Sequence, residues 1–185
     1  MGKNFFHWRF LAKTTRAGKT VSPSVEQLAQ EGNAEAQFQL GLKCSGAGVS
    51  AQDELQAAEW YLKAAEQNHG LAQFNLGQMF ASGKGVTQDA AKSLFWFRRS
   101  AHSGIAGAQF CLGRVWHRSS LDGSATDAHE ARIEAYVWYA LAAAQNYDAA
   151  QSACAQLTVK MTWDEVSEAR RRVVDSGRKH LTTSG

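Results

Sequence analysis

Ala36, Leu40 and Cys44 fall at i, i+4 and i+8, the spacing that lines one face of an α-helix. The same apolar stripe returns at Ala72, Leu76 and Phe80, and again at Ala108, Leu112 and Trp116. Each stripe lies in one block, AQFQLG from Ala36, AQFNLG from Ala72 and AQFCLG from Ala108, so a predicted helix A recurs every 36 residues. A second block follows each of these: Trp60-Tyr61, Trp96-Phe97 and Trp138-Tyr139, trailed by Ala64-Ala65, Ser100-Ala101 and Ala142-Ala143. Trp60 with Ala64, and Trp96 with Ser100, share one face of a predicted helix B, and Asp53 and Asp89 are suited to cap its start. The first interval between second blocks is 36 residues and the last is 42, an insertion of six in the third unit.

The glycines punctuate this pattern. SGAGV and SGKGV separate helix A from helix B in the first two units, so Gly46, Gly48, Gly83 and Gly85 are expected where the turn needs positive φ, with Val86 filling the apolar seam below. Neither SGKGV nor the TTRAGKT stretch is a phosphate loop. The first lacks Ser or Thr after the lysine, and the second has Lys13 where the leading glycine belongs. Gly41, Gly77 and Gly113 instead stand inside helix A, where each costs about 1 kcal/mol relative to alanine. Their recurrence predicts that something approaches helix A closely there.

Two short helices in 36 residues cannot bury an apolar face alone, so the units must stack. The expected fold is all-α, an α-solenoid of stacked antiparallel helix pairs with about nine helices. Its expected parts are a basic aromatic arm (1–20), a capping helix (21–33), repeats at 34–69, 70–105 and 106–146, and a C-terminal half-repeat with a capping helix (147–180). Ser22 and Pro23 are read as N-cap and first residue of the leading helix, and Thr162 with Glu165 as a capping box for the last. The third repeat replaces the glycine turn by HRSSLDGSATDAHEAR, read as a polar loop with Asp127 capping the helix that follows.

Composition agrees with helix, since the chain of 185 residues has one proline and 44% hydrophobic residues. Cys44, Cys111 and Cys154 show no paired or C-x-x-C spacing, which suits a reducing compartment and a cytoplasmic location. No stretch approaches the roughly 20 apolar residues of a membrane-spanning helix. The net charge of +3 is uneven: Lys3, Arg9, Lys13, Arg16 and Lys19 give the arm +5, whereas residues 33–160 hold ten Lys or Arg against eleven Asp or Glu. A body at −1 lacks the basic track that phosphate contacts require, so nucleic acid is not an expected partner. In the arm, Phe5, Phe6, Trp8, Phe10 and Leu11 interleave with the basic residues. Such a segment is read first as docking on the first repeat as a cap, with contact with an anionic membrane surface as the alternative and plain disorder after it.

The stretch AQFNLGQMFASGKGVTQDAAKSLFWFRRSAHSG closely resembles the Sel-one-like repeat, a relative of the tetratricopeptide repeat, through its A-x-x-x-L-G, G-x-G-V, D-x-x-K-A and W-[YF]-x-x-A-A elements. The resemblance covers residues 34 to 146, and YDAAQSACAQLTVKMTWDEVSEAR looks like the closing half-repeat and extra helix of bacterial members. The third repeat departs from it at the missing turn. The cysteine pairs of the family's secreted branch are missing too. The resemblance implies a non-catalytic adaptor or scaffold, active as a monomer, that binds another protein or an extended peptide along a surface lined by helix A.

On a helical wheel Phe38 and Leu42 lie opposite the stripe of Ala36, and the same arithmetic places Phe74 with Gln78 and Phe110 with Arg114. These six are the candidate partner-binding residues. The phenylalanines also suit packing between neighbouring repeats, whereas Leu42, Gln78 and Arg114 differ from repeat to repeat and are the better specificity candidates. In the insertion, His117, Asp122, Asp127, His129 and Glu130 are of metal-ligating type, yet their spacing fits no recognised ligand set. No catalytic residue, metal or cofactor is expected, because no nucleophile with a base or paired-carboxylate motif stands out. His69 and His102 fall near helix ends, where capping or solvated roles are expected.

Overall fold

The computed structural model describes residues 22–46, 48–123 and 125–182. The basic aromatic arm of residues 1–20, with all three readings of it, lies outside the described residues. Among those described, nine helices form: α1 (Val25–Gln30), α2 (Ala34–Cys44), α3 (Ala51–Glu66), α4 (Gly70–Ser82), α5 (Ala90–His102), α6 (Ala106–Asp122), α7 (Ala125–Ala143), α8 (Asp148–Thr158) and α9 (Trp163–Thr182). The principal contacts run between successive helices from α1 to α8, and α9 returns to α7. Such neighbour-only packing is what an α-solenoid of helix pairs produces. Helix A is therefore α2, α4 and α6, and helix B is α3, α5 and α7.

The helix starts follow capping chemistry, with two shifts from the expected positions. Ser24, not Ser22, caps α1: its side chain accepts from the Gln27 N–H while the Gln27 side chain accepts from the Ser24 N–H. Pro23 consequently precedes the cap and is not the first helical residue. Ser50, not Asp53, caps α3, and Asp53 serves three residues in as the reciprocal partner. Asp89 does cap α5, accepting from the Lys92 N–H at 2.9 Å. At the turn after α4, Gly83 takes φ of 74° as the left-handed C-cap and Gly85 takes 65°. A Cβ on Gly85 would strike the Glu54 carbonyl, so glycine also lets this turn lie on α3. Val86 packs under it against the core, as expected.

The expected buried stripe is present: Ala36, Leu40, Ala72, Leu76, Ala108 and Leu112 are buried, with Cys44, Phe80 and Trp116 half-buried. What approaches helix A at its glycines is an aromatic ring from helix B. A Cβ on Gly41 would lie 2.5 Å from Cδ1 of Tyr61, and one on Gly77 2.8 Å from Cδ1 of Phe97. On Gly113 it would meet the ring of Tyr139. The three rings thus occupy the volume that any larger residue would need.

A second device joins one repeat to the next. Gln37 donates through Nε2 to the Ala29 carbonyl at 3.0 Å, Gln73 to Ala65 at 3.0 Å and Gln109 to Ala101 at 3.3 Å. Each acceptor lies in the last turn of a helix, where carbonyls lack partners within the helix. The repeated glutamine of the AQF block therefore closes the C-terminus of the preceding helix and fixes the next one against it.

The third repeat differs from expectation. The segment read as a polar loop is mostly helical: α6 runs for 17 residues and α7 for 19, against 13 each for α4 and α5. Asp127 falls in the first turn of α7 and not at its cap, a position where the helix dipole favours an acid. The beginning of α7 supplies the anchor for α9. Thr162 and Glu165 form the expected capping box, and the fully buried Glu165 carboxylate accepts from Arg132 Nε at 2.9 Å and Nη2 at 2.6 Å. His129 Nδ1 lies 3.0 Å from the same oxygen. Arg172, two turns further along the same face of α9, pairs with Glu130, Glu134 and Glu168. A loop would not hold these partners in line.

Gly77→Ala tests the ring-on-glycine contact. Overpacking costs about 1–3 kcal/mol, which outweighs the gain of about 1 kcal/mol in helix propensity, so urea denaturation should show a net loss near 1 kcal/mol. In a Phe97→Ala background the same change should become neutral or stabilising.

The α9 anchor predicts a pH dependence. Burial raises the Glu165 carboxyl, but hydrogen bonds from Arg132 and the Thr162 N–H, with the charges of Arg132 and His129, more than offset it and hold the group below its ordinary value. A depressed carboxyl stabilises the fold above its unfolded value of about 4.3 and ceases to do so as pH falls through the lower folded value. Glu165→Gln should cost about 2 kcal/mol at pH 7 and flatten the loss of stability below pH about 4. Thermal melts between pH 3 and 7 provide the comparison.

Candidate functional site

The six candidate residues do not share one environment. Phe38 is buried at 8% exposure, so the wheel reading that set it opposite the buried stripe as a contact residue is corrected. Its ring packs 5.9 Å from that of Tyr61 on helix B and stacks 4.5 Å from His69 at the start of the next repeat. The physical reason is that helix A is covered on two sides, by its own helix B and by the following repeat. Phe74 and Phe110 are half-buried in the same role: Phe74 lies 5.8 Å from Phe97, and Phe110 5.6 Å from Tyr139 and 5.2 Å from Tyr147. Phe74 also reaches the next helix A, where only glycine at position 107 leaves it room.

Leu42, Gln78 and Arg114 remain exposed, one per repeat. They border a groove in two adjoining segments. The first, with a volume near 430 Å³, takes Leu42 and Gln78 with Tyr61, Met79, Glu54 and Lys84. The second, near 460 Å³, takes Arg114 with Cys111, His117, Arg118 and Tyr139. Phe97 lines both and joins them. The rings seated on Gly41, Gly77 and Gly113 therefore also reach the groove. These rings were not among the candidates; the available signal was an aromatic residue directly after each tryptophan, at positions 61, 97 and 139.

The electrostatics change along the groove. Glu54 and Lys84 put both signs into the first segment, whereas the second has Arg114 and Arg118 and, among the described residues, no carboxylate in its lining. Burial pushes the Cys111 thiol and the Tyr139 hydroxyl above their ordinary values, and the nearby Arg114 only partly opposes this. Burial, with the charge of Lys160, holds His117 below its ordinary value. The thiol is thereby kept protonated, which makes Cys111 a poor nucleophile. Tyr61 ends in a 2.7 Å hydrogen bond with Ser45 Oγ, fixing the ring at the Leu42 end.

The insertion residues are not drawn together. His129 and Glu130 face α9 in the contacts described above, while the His117 ring stands edge-on to Tyr139 at 6.2 Å. Among the described residues no group of three or more His, Cys, Asp or Glu is placed to hold a metal ion. His69 caps α4, its Nδ1 accepting from the Ala72 N–H, and this tautomer leaves Nε2–H to donate to Glu35. His102 donates through Nδ1 to the Arg98 carbonyl.

Comparison with known proteins agrees with this architecture. The model of the Sel1 repeat matches residues 34–69, 70–105 and 108–147. Among solved structures, c5321, a protective antigen of uropathogenic Escherichia coli with an SLR fold, superposes with a TM-score of 0.69 at 26% identity. That match covers 82% of this chain and 31% of the other, so this chain spans about a third of its length. A Sel1 repeat protein from Oxalobacter formigenes superposes with a TM-score of 0.59 at 32% identity, covering 71% of this chain and 95% of that one. No curated protein gives a match. Among the described residues no helix is long and apolar enough to cross a membrane. With three matched units over more than half its length, each built on the same ring, glycine and glutamine contacts, the chain belongs to the Sel1 repeat family.

Proposed function

We propose that the chain is a non-catalytic scaffold that holds an extended segment of another protein in the groove beside Leu42, Gln78 and Arg114. Sel1 repeats generally mediate protein–protein interaction. The observation that carries the reading is that one exposed, variable side chain per repeat stands beside a groove that Tyr61, Phe97 and Tyr139 line throughout. Repeated rings give apolar contact without selecting a sequence, and the residues between them supply the selection. Read in order, an apolar side chain, an amide and a cation face the ligand. A complementary segment places an apolar residue near Leu42 and an acidic one near Arg114 and Arg118, for which the described residues supply no carboxylate partner. Phe38, Phe74 and Phe110 act beneath this surface by setting the positions of the rings. The free thiols of Cys44, Cys111 and Cys154 fit work in a reducing compartment, and a cytoplasmic location belongs to the same reading.

Peptides selected on the protein from a random display library, with affinities measured by fluorescence anisotropy, provide the test. Replacing Gln78 and Arg114 together by alanine should weaken binding at least tenfold, about 1.4 kcal/mol, and leave the melting temperature unchanged because both side chains are exposed. Unchanged affinity for all the selected peptides would sink the reading.

A further inference from the structure

The glutamine tie between repeats has a second half that two repeats complete and one does not. Gln37 Oε1 accepts from Gln67 Nε2 at 2.8 Å, and Gln109 Oε1 accepts from Gln145 Nε2 at 2.9 Å. The corresponding position in the middle repeat is Ser103, whose hydroxyl instead donates to the Arg99 carbonyl at 3.2 Å. Among the described residues Gln73 Oε1 is consequently left without a donor, although the residue is only 1% exposed. Buried amide oxygens are nearly always hydrogen-bonded, and leaving one bare is costly.

The shorter serine also leaves space. Gln73 and Ser103 line a cavity of about 700 Å³ on the second repeat, with Phe95, Arg98, Arg99 and His102 around them and Asn68 at the end of the first repeat on its edge. It opens on a different side of α5 from the groove, because Phe95, Arg98 and His102 lie roughly 100–160° around the helix from Phe97 at 100° per residue. Among the described residues no acidic one lines it. Arg99 is held in place by Asn68 and by the rings of Phe95 and Trp96, at 5.8 and 5.3 Å, none of which neutralises it. Among the described residues neither Arg98 nor Arg99 pairs with a carboxylate. Phe95 offers an apolar wall at 52% exposure.

A ligand that completes this site brings an N–H donor for Gln73 Oε1 and an anion for Arg98 and Arg99. An acidic peptide carries both, its main-chain amide a few ångströms from a side-chain carboxylate. We infer that this cavity is a second peptide site, in which a main-chain N–H takes the place of the missing glutamine while an Asp or Glu carboxylate binds Arg98 and Arg99. The sister repeats supply their own donor, which closes the equivalent position to a ligand. The middle repeat differs from its sisters at this position by one substitution, which leaves the buried amide oxygen to be met by a ligand.

The test titrates isotope-labelled full-length protein with acetyl-Glu-Glu-Glu-amide at low salt and follows the side-chain signals of Gln73 and the arginines by NMR. Saturable shifts should appear at Gln73, Arg98 and Arg99, and acetyl-Gln-Gln-Gln-amide should bind at least tenfold more weakly. Arg98→Ala, at an exposed position, should reduce the affinity at least tenfold with an unchanged melting temperature. Ser103→Gln should restore the pairing seen in the other repeats, raise the melting temperature by about 2–4 °C and abolish binding. The inference is overturned by the absence of saturable shifts at Gln73, by equal binding of the neutral peptide, or by binding that survives in Ser103→Gln. Shifts confined to Arg114 and Tyr139 overturn it as well, since they place the peptide in the groove.

Discussion

The structure depends on aromatic rings seated against glycines. Tyr61, Phe97 and Tyr139 each fill the space above Gly41, Gly77 or Gly113. A glycine in a helix is unfavourable by itself, by about 1 kcal/mol, so the contact must return more than that in buried aromatic area and dispersion. It also sets the distance between the two helices, because the ring occupies the space that a Cβ would take. The phenylalanine of each AQF block then packs against the same ring, at centroid distances of 5.9, 5.8 and 5.6 Å. Near-equal distances in three repeats show one packing unit used three times.

Because the rings serve two purposes, packing and surface chemistry are linked. Each ring is fixed from below by the glycine and from the side by a phenylalanine, and the groove segments are lined where the rings come to the surface. Rigid aromatic surface of this kind binds with little loss of side-chain freedom. The repeat therefore constrains the positions that touch the rings and leaves free those beside them. Leu42, Gln78 and Arg114 occupy such unconstrained positions, which is why they differ in chemistry while their neighbours match.

Much of this architecture was legible in the sequence because the same demand was repeated. One Ala-Leu stripe could mark any amphipathic helix; three at 36-residue spacing mark stacked pairs. The in-helix glycines signalled close approach, though not what approached, since ring and backbone contacts leave the same mark. Phe38 shows where wheel arithmetic ran short. A wheel knows one buried side, and helix A has two, so the residue opposite the stripe is itself buried at 8% exposure. The insertion was misread because polar residues suggest a loop when their partners are distant. His129, Glu130 and Arg132 find theirs on α9, more than thirty residues away in sequence. The caps moved by a few residues because each start offers two candidates, Ser22 and Ser24 before α1 and Ser50 and Asp53 at α3, and only geometry separates the cap from its neighbour.

The glutamine tie shows how a repeat protein acquires individuality. A contact present in every unit sets the register, so departing from it in one unit leaves the fold intact and changes only that location. At the Gln67, Ser103 and Gln145 positions the departure removes a donor and several atoms of volume from the middle unit. The Gln73 Nε2 bond to the Ala65 carbonyl persists, so the backbone stays in register even though Oε1 of the same amide has no partner among the described residues. The added room appears beside Arg98 and Arg99, on a surface where like charges have no counterion among the described residues. The unmet buried hydrogen bond is unfavourable in the isolated chain, and one acidic ligand meets it while pairing with the arginines beside it. Structural periodicity thus locates the exception, and the exception is where chemistry specific to this chain is concentrated.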